Sequence, residues 1–464
     1  MKRYRLALLF IACCACGIVR GADQPQRITI DFAKPSGRLK PLNGVNHGPY
    51  YNGENAKLGR YHAEAGFAYT RLHDVHWPCP DCVDVSTIFP IFDADADDSK
   101  YYVFAKTDDY LAAILKNKSQ IVYRLGEDIE PWTHYHNKPP ADFHKWAKVC
   151  VNIIRHYNDG WDNGFNYKIS YWEIWNEPEI AHMWTGTRQQ YLELYEVASK
   201  AIQAHDPSLK IGGPAATSIH SELVRQFLAF CRDRKLPLDF FSFHAYSGDP
   251  KSLAADAITA RKLLDEYGFK QTEVHLNEWR YLPTWQGLRP SDPREFKNVP
   301  EWFARSCRAE GAAFCADVLI RMQDTPVDVM NFYCADTSPW SMFSQFGIPS
   351  KVYYTFKAFH ALLASHNRVA CIGLPAEGPI CAAACVSDEK QSAALLLSNF
   401  KGPSTHLVVA LANLPWNGTV RVEVDQLDET HDLELTQQQT IDLKEPTLEL
   451  ELPTNSVLLV RLSK

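Results

Sequence analysis

The sequence predicts an α/β fold, namely a (β/α)₈ TIM barrel with an additional antiparallel β-sandwich domain. The chain has 464 residues, whereas a barrel of this kind needs about 250. Short apolar runs alternate eight times with longer helical patterns, and beyond residue 366 the helical period gives way to strand-like alternation. We therefore predict a signal peptide at 1–21, a barrel at 41–365, and an accessory domain formed by 22–40 plus 366–464.

Eight apolar runs predict the barrel strands. Each is four to six residues long, and most are rich in β-branched or aromatic residues, as expected for parallel strands buried on both faces. Eight such strands are the number that closes a barrel. The runs cover residues 42–47, 68–73, 121–125, 171–175, 210–213, 239–244, 273–277 and 328–333.

Helices are marked by caps and apolar stripes. Thr187 and Gln190 have the spacing of a capping box, and an apolar stripe at helical spacing follows them. That stripe indicates core packing. Similar amphipathic runs cover residues 143–157, 223–231, 255–267 and 353–365.

The C-terminal part alternates apolar and polar residues, which is typical of antiparallel strands. The N-terminal run 27–32 has the same alternation, so we expect it to join the C-terminal sheet and make that domain discontinuous. The predicted C-terminal strands cover residues 393–397, 406–411, 419–424, 447–452 and 457–462.

The first residues have the pattern of a secretory signal. Lys2, Arg3 and Arg5 precede an apolar run that ends near Val19, which is too short for a membrane span. We expect a secreted or periplasmic protein with no membrane span, and a lipid anchor at Cys13 is the alternative. The net charge of -7 and the lack of a basic patch argue against a nucleic-acid partner.

The chain has 13 cysteines, of which Cys13, Cys14 and Cys16 lie in the predicted signal peptide, so ten remain. Cys79 and Cys82 form a C-x-x-C pair, but no second pair has the spacing of a zinc site. The sequence therefore predicts no metal site, and it leaves disulfides and buried free thiols open for these cysteines.

Two glutamates stand where a barrel carries its reactive groups, at the carboxyl ends of strands. Glu177 follows the fourth predicted strand and Glu278 follows the seventh, each directly after an asparagine. Hydrolysis of a glycosidic bond needs two such carboxyl groups. A separation of about 5 to 5.5 Å would indicate retention of configuration, and one of about 6.5 to 9.5 Å inversion. The sequence leaves this distance open.

These motifs resemble glycoside hydrolase family 39 of the retaining clan A, which includes β-xylosidases and α-L-iduronidases. The Trp175-Asn176-Glu177-Pro178 motif and the Glu278-Trp279 pair, about 100 residues apart, carry the resemblance. It implies that Glu177 is the catalytic acid/base, that Glu278 is the nucleophile, and that Asn176 binds the 2-hydroxyl of the sugar.

The resemblance also assigns supporting roles. His244 and Tyr246 would orient the nucleophile, and Arg71 would keep it ionised. A charged Glu278 would in turn raise the pKa of Glu177 and hold it protonated. This mechanism requires no cofactor.

Further residues at strand ends are candidates for substrate binding. His47, His73 and Trp340 are included on this ground. Glu173 is expected to alternate out of the site and Glu179 to begin a helix. Structural and substrate-binding roles are both open for a further set of polar and aromatic residues, comprising His76, Glu127, Asp128, Trp132, Trp184 and Trp285.

Three functions fit the sequence. The leading hypothesis is an exo-acting retaining glycosidase with a carbohydrate substrate, either β-xylosidase-like or releasing arabinose units from plant-type polysaccharides. The alternatives are an α-L-iduronidase-like enzyme on uronic-acid polymers and a non-catalytic carbohydrate-binding protein on a hydrolase scaffold. The sequence predicts neither the sugar and its linkage nor the oligomeric state.

Overall fold

The computed structural model describes residues 26–49, 58–75, 82–128, 137–288 and 291–464. The predicted signal peptide and the candidate residues His76, Cys79 and Trp132 lie outside these ranges. Among the described residues, no helix is both long and apolar enough to cross a membrane.

The eight predicted barrel strands are confirmed. Eight parallel strands pair in sequence order, and the last pairs with the first, so the sheet closes. The described chain begins with strand β1 (Gln26–Arg38), which lies outside the barrel. The barrel strands follow as β2 (Gly44–Asn46), β3 (Tyr69–Leu72), β4 (Gln120–Leu125), β5 (Tyr171–Ile174), β6 (Lys210–Ala216), β7 (Phe240–Ser247), β8 (Glu273–Tyr281) and β9 (Val329–Phe332).

Helices connect the barrel strands and bury their apolar stripes against the sheet. The capping box is confirmed, because the Gln190 amide N–H donates to the Thr187 hydroxyl and the Gln190 side chain accepts from the Thr187 amide. The described helices are α1 (Gly59–Ala65), α2 (Val85–Ile88), α3 (Ala105–Lys116), α4 (Phe143–Asp159), α5 (Arg188–His205), α6 (Glu222–Arg234), α7 (Pro250–Glu266), α8 (Trp285–Leu288), α9 (Val299–Cys307), α10 (Ala309–Arg321) and α11 (Lys351–Leu363). Short 3₁₀ turns lie at Ser99–Tyr101, Trp161–Asn163, Pro293–Asn298 and Met322–Asp324.

The remaining strands form one nine-stranded, mostly antiparallel sheet. Strand β1 lies inside it and pairs with two C-terminal strands, antiparallel to one and parallel to the other. The order is β15-β14-β17-β12-β11-β10-β1-β13-β16. The C-terminal strands are β10 (Asn367–Ile372), β11 (Ile380–Val386), β12 (Ser392–Asn399), β13 (Thr405–Ala412), β14 (Thr419–Leu427), β15 (Asp432–Asp442), β16 (Thr447–Leu452) and β17 (Ser456–Ser463).

The barrel and this sheet share a hydrophobic core. Leu396 of β12 and Leu459 of β17 belong to the same buried cluster as the barrel helices α10 and α11. The Ser398 hydroxyl also donates to the Ala313 carbonyl of α10 over 2.8 Å. The opposite face of the sheet has a core of its own, in which Val422 of β14 and Leu450 of β16 are buried.

The nine described cysteines carry no disulfide, and seven of them are buried. For these residues the structure therefore selects free thiols from the two alternatives that the sequence left open.

Candidate active site

Strands β5, β7 and β8 bring the two predicted catalytic glutamates together at the barrel mouth. One carboxylate oxygen of Glu177, one oxygen of Glu278 and one ring nitrogen of His244 all lie within 4.8 Å of one another. His244 Nδ1 lies 2.7 Å from Glu177 Oε1, and its Nε2 lies 3.6 Å from Glu278 Oε2. The imidazole thus stands between the two carboxyl groups.

Two backbone features aim these side chains. Glu177 has a positive φ of 44°, which is uncommon for a residue other than glycine. Its amide donates to the Ala215 carbonyl over 3.0 Å and holds the turn after β5. A register shift between Phe243 and His244 then pairs His244 directly with Glu278. Such bulges re-aim side chains beside active sites.

Arg71 is the central donor beneath the pair. Its Nη1 lies 3.4 Å from Glu278 Oε2 and 3.1 Å from Asn46 Oδ1, and its Nη2 donates to Asn176 Oδ1 over 2.6 Å. Its Nε donates to Glu173 Oε2 over 2.7 Å. The fixed fork of guanidinium donors orients Glu278 and Asn176 together.

Glu173 was wrongly expected to point out of the site. It has no exposed surface, and its second carboxylate oxygen accepts from Asn277 Nδ2 over 2.6 Å. The outward positions of β5 are Trp172 and Ile174, so the alternate position faces the barrel interior. The signal for this role was the inward-facing Arg71, because a buried guanidinium needs a buried carboxylate partner.

Tyr246 contacts the other carboxylate oxygen of Glu278. Its hydroxyl donates to Glu278 Oε1. Trp340 packs edge-on at 6.1 Å from the Tyr246 ring, and Trp285 does so at 5.6 Å with 49% of its surface exposed. Phe303 of α9 contacts Trp340 at 5.1 Å. Trp340 and Trp285 therefore form an aromatic rim beside the catalytic pair, whereas Trp184 is buried.

His47 and His73 lie at the ends of β2 and β3 and are buried. His47 Nδ1 lies 2.8 Å from Asp336 Oδ2. His73 lies between two carboxylates, with Nε2 3.3 Å from Asp74 and Nδ1 3.7 Å from Asp128. Both histidines thus have acidic partners in the wall of the site.

The sequence did not single out Asp74, Tyr333 and Asp336, although all three follow barrel strands. The Tyr333 hydroxyl donates to Asp74 Oδ2 over 2.9 Å. The Tyr333 ring packs edge-on against the His47 ring, with 5.3 Å between their centroids. Strand-end position was the available signal, but it does not distinguish these residues from their neighbours.

Glu127 and Asp128 accept hydrogen bonds from backbone amides near the barrel mouth. Asp128 accepts from the Asp74 and Val75 amides over 2.7 and 2.9 Å, and Glu127 accepts from the Ser86 amide over 3.2 Å. Both are fully engaged beneath the surface, which favours the structural alternative for these two residues.

Three-residue groups of possible metal ligands also occur among the described residues. Their donor atoms lie within 4.8 Å of one another in His47–Cys334–Asp336 and in His73–Asp74–Asp128. Cys334 Sγ lies 3.2 Å from Asp336 Oδ1, which also accepts the Ser338 amide. Contacts within the protein thus account for these groups.

The two glutamates have raised pKa values. Burial raises the pKa of Glu177 to about 8, and the negative charges of Glu179 and Asp74 add to the effect. The sequence assigned this rise to Glu278, so the cause differs from the prediction. Burial also raises the pKa of Glu278, and Glu177 adds to the rise, while His244, Arg71 and the Tyr246 hydroxyl oppose it. Arg71 therefore reduces the rise in the pKa of Glu278 but does not cancel it.

Burial lowers the pKa of His244, which favours its neutral form, whereas the negative charge of Glu278 opposes this shift. The site accordingly offers a carboxyl group whose pKa is raised to about 8, a second carboxyl group held by Arg71 and Tyr246, and a buried imidazole between them. The two carboxyl groups of the site can therefore donate a proton and present a nucleophile to the same bound molecule.

Comparison with known proteins shows that the sequence matches a glycoside hydrolase family. The sequence model of the family described as Glycosyl hydrolases family 39 matches residues 42–330. A β-xylosidase from Geobacillus stearothermophilus is 30% identical over 162 residues, which are 30% of this chain and 32% of that protein. A β-xylosidase from Caldicellulosiruptor saccharolyticus is 25% identical over 373 residues, which are 72% of each chain.

The fold has solved counterparts. The structure of a glucosidase from Croceicoccus marinus superposes with a TM-score of 0.80 at 24% identity, covering 95% of this chain and 100% of that one. At this identity the likeness shows the shared architecture of barrel and accessory sheet.

Proposed function

The chain belongs to family 39 of the glycosyl hydrolases, and on this basis we propose that Glu177 and Glu278 hydrolyse O-glycosidic bonds by double displacement with retention. The observation that carries the proposal is the approach of the two carboxylates, which have oxygens within 4.8 Å of each other. Retaining enzymes hold this pair about 5 to 5.5 Å apart, whereas inverting enzymes leave room for a water molecule.

In the first step Glu278 attacks the anomeric carbon while Glu177 gives its proton to the departing oxygen, so a glycosyl ester forms and an alcohol leaves. In the second step Glu177, now a carboxylate, takes a proton from water. That water attacks the same carbon and releases Glu278. The proton gained by Glu177 restores the starting state.

The surrounding contacts support these roles. Tyr246 and Arg71 each reach one oxygen of Glu278 and orient it for attack. Arg71 also holds Asn176 Oδ1, which fixes the amide that we assign to the sugar 2-hydroxyl. Hydrogen bonds to this hydroxyl strengthen in the transition state of glycosidases. We assign His47, His73 and Trp340 to the sugar and its leaving group.

For the substrate we propose a β-xylosidase-like, exo-acting enzyme on plant-type oligosaccharides, because two relatives of the chain are named β-xylosidases. Release of arabinose units is the second candidate. An iduronidase would need a cation for the sugar carboxylate. Among the described residues, Arg71 is the basic side chain that contacts the catalytic pair. Its N–H donors are already hydrogen-bonded to Glu173, Asn46 and Asn176, so they do not serve a sugar carboxylate. The presence of both carboxyl groups argues against a non-catalytic role.

Two alanine variants test the catalytic roles. Glu278→Ala should abolish turnover of every substrate. Glu177→Ala should lose about 10²- to 10⁴-fold on phenyl glycosides, which need acid assistance, and far less on 2,4-dinitrophenyl glycosides. Azide should restore turnover in Glu177→Ala by trapping the intermediate. Equal losses on both leaving groups without azide rescue would contradict the acid/base assignment.

The sugar is tested by a panel of aryl β-D-xyloside, α-L-arabinofuranoside, β-D-glucoside and α-L-iduronide. We expect the highest kcat/KM for the xyloside, and NMR should show its β-anomer as the first product. Preference for another sugar would overturn the substrate proposal alone, and first appearance of the α-anomer would overturn retention.

We also propose that the chain is exported. The support is the basic and apolar N-terminal sequence. Expression of the full chain should give a protein shortened by about 21 residues in the periplasm or medium. Loss of membrane attachment in Cys13→Ser would indicate the lipid-anchored alternative.

A further inference from the structure

Arg280 is a buried cation close to the catalytic pair that the two catalytic steps do not use. It lies on β8 two residues beyond Glu278, and only 2% of its surface is exposed. Its guanidinium donates to the Tyr333 carbonyl over 3.3 Å and to the Ser306 hydroxyl over 2.7 Å, and Nη2 also lies 3.7 Å from the Cys307 sulfur. Among the residues that the structure describes, no carboxylate forms an ion pair with Arg280, although a buried charge usually has such a partner.

Aromatic rings stand where that carboxylate would be expected. The guanidinium carbon of Arg280 lies 5.7 Å from the centroid of the Trp340 ring and 5.8 Å from that of Phe332. A cation within about 6 Å of an aromatic face is attracted by the ring, and the attraction is strongest where water is excluded. Arg280 thus binds Trp340, the rim residue whose ring packs 6.1 Å from that of Tyr246.

Both hydrogen bonds of Arg280 lead to the same tryptophan. Ser306, which accepts from Arg280, donates its hydroxyl to the Phe303 carbonyl over 2.8 Å. The Phe303 ring in turn packs edge-on against Trp340 at 5.1 Å. The other acceptor, Tyr333, has its ring 6.4 Å from that of Trp340. Arg280 therefore joins β8, α9 and the chain beyond β9 around one aromatic side chain.

We propose that Arg280 is a positioning residue that fixes Trp340 for contact with the sugar and thereby sets how tightly the enzyme binds its substrate. This inference rests on the proposed function, which assigns Trp340 to the sugar and its leaving group. It adds a residue that acts on the substrate through Trp340.

Trp340 needs such support because it lies in the long loop 333–350, between β9 and α11. Side chains on loops are held less precisely than those on strands and helices. Strand β8, by contrast, is part of the closed barrel and also carries Glu278. Because Arg280 ties the loop to this strand, Trp340 and Glu278 keep a fixed position relative to each other.

The test is a double-mutant cycle of Arg280→Met and Trp340→Ala, measured with a phenyl glycoside of the sugar preferred in the panel. Methionine keeps an apolar stem but removes the charge and both donors. We expect Arg280→Met to raise KM about tenfold, while kcat changes by less than about threefold. Trp340→Ala should also raise KM. Added to Trp340→Ala, the Arg280→Met substitution should raise KM further by less than about twofold, because its effect passes through the missing ring.

The separation of KM from kcat distinguishes positioning from a merely structural role, because a loosened barrel would lower kcat as well. The inhibition constant of the free sugar should rise in parallel with KM in Arg280→Met. Additive effects of the two substitutions, or an unchanged KM in either single variant, would overturn the inference. A fall in kcat as large as the rise in KM would also overturn it.

Arg305→Met is the matched control, because it removes a guanidinium from a different tryptophan. The guanidinium carbon of Arg305 lies 5.1 Å from the centroid of the Trp302 ring, and its Nη2 pairs with Glu310 over 2.6 Å. The KM of this variant should stay within about twofold of the wild-type value. A rise equal to that in Arg280→Met would show that the effect does not depend on Trp340, and the inference would be wrong.

Arg280→Lys provides a second variant, which keeps the cation but loses the planar fork of donors. It is judged by the same cycle, and its KM should lie between those of the wild type and Arg280→Met. If neither variant folds, Arg280 has a structural role and the inference is wrong. If the wild type hydrolyses a glycoside of the panel and the cycle is additive, the inference fails alone. If the wild type hydrolyses none of them, the proposed function fails and the inference falls with it.

Discussion

At the residue scale, Glu177, the proposed acid/base, is stabilised in its protonated form, and this makes the folded state less stable at high pH. Burial raises the pKa of Glu177 to about 8, whereas the unfolded chain has an ordinary value near 4.5. Between these pH values the folded state binds the proton and the unfolded state does not. The contribution of Glu177 to the free energy of unfolding therefore falls as the pH rises through this window.

Glu177→Gln removes this dependence because the amide is neutral at every pH. We expect the variant to match the wild type near pH 4.5 and to be more stable by at least about 1 kcal/mol at pH 8.5, since one pKa unit corresponds to about 1.4 kcal/mol. Urea unfolding at the two pH values measures this. Glu429→Gln, at an exposed position, is the control. A constant difference between Glu177→Gln and the wild type at both pH values would contradict the prediction.

Tyr246 should shift the pKa of Glu278 in the opposite direction. Its hydroxyl donates to Glu278 and lowers the pKa of that carboxyl against the effect of burial. In Tyr246→Phe the pKa of Glu278 should rise, so the acidic limb of kcat/KM should move up by about one to two pH units, which corresponds to a hydrogen bond to a charged group.

Tyr195→Phe is the matched control for this substitution. Its hydroxyl donates to the Pro237 carbonyl over 2.9 Å and touches neither glutamate. The acidic limb of this variant should not move. If Tyr246→Phe lowered kcat equally at all pH values, the hydroxyl would orient the substrate and would not tune Glu278.

The sequence could predict that Glu177 and Glu278 meet because each follows an asparagine at the end of an apolar run. It did not predict the roles of Glu173 and Asp74, which come from lateral contacts with Arg71 on β3 and with Tyr333 just after β9. Such contacts depend on which side chains face the barrel interior. A one-residue error in a strand boundary reverses that assignment.

At the scale of elements, the cap of α5 stabilises the helix that follows the acid/base loop. The Thr187 hydroxyl accepts from the Gln190 amide over 3.2 Å. We expect Thr187→Ala to cost about 1 kcal/mol of folding free energy, while kcat/KM stays within about twofold. Thr259→Ala, which removes an exposed hydroxyl inside α7, is the control in the same denaturation assay. A smaller loss in Thr187→Ala than in the control would contradict the capping role.

In the accessory sheet, the strands that the sequence could predict were those with alternating or strongly apolar runs. Strand β16 (Thr447–Leu452) alternates strictly between buried and exposed residues and was predicted at its full length. Strand β11 (Ile380–Val386) is covered on both faces by the two cores, shows no alternation and is rich in alanine, which is a weak strand former. Strand β15 (Asp432–Asp442) is a mostly exposed edge with few apolar residues. Both were therefore missed.

At the scale of the whole molecule, the accessory sheet is a sequence-discontinuous unit packed on the barrel. Strand β1 pairs with β10 and β13, so the chain enters the sheet before it builds the barrel and returns to it afterwards. Arg321 at the end of α10 also donates to the Ala376 and Gly378 carbonyls over 2.7 and 3.0 Å. Sheet and barrel should consequently unfold together.

Leu396 tests this coupling because it lies in the core that β12 shares with the barrel helices. Leu396→Ala should cost about 2 to 5 kcal/mol, and it should lower the temperature of calorimetric unfolding and that of activity loss by the same amount. Leu395→Ala removes the same atoms from the opposite face of the strand, where the sheet has its own core. If the molecule is one cooperative unit, this variant should also lower both temperatures together, although no atom of Leu395 belongs to the barrel core. Two calorimetric transitions in either variant, with activity surviving the first, would show that the barrel folds independently of the sheet.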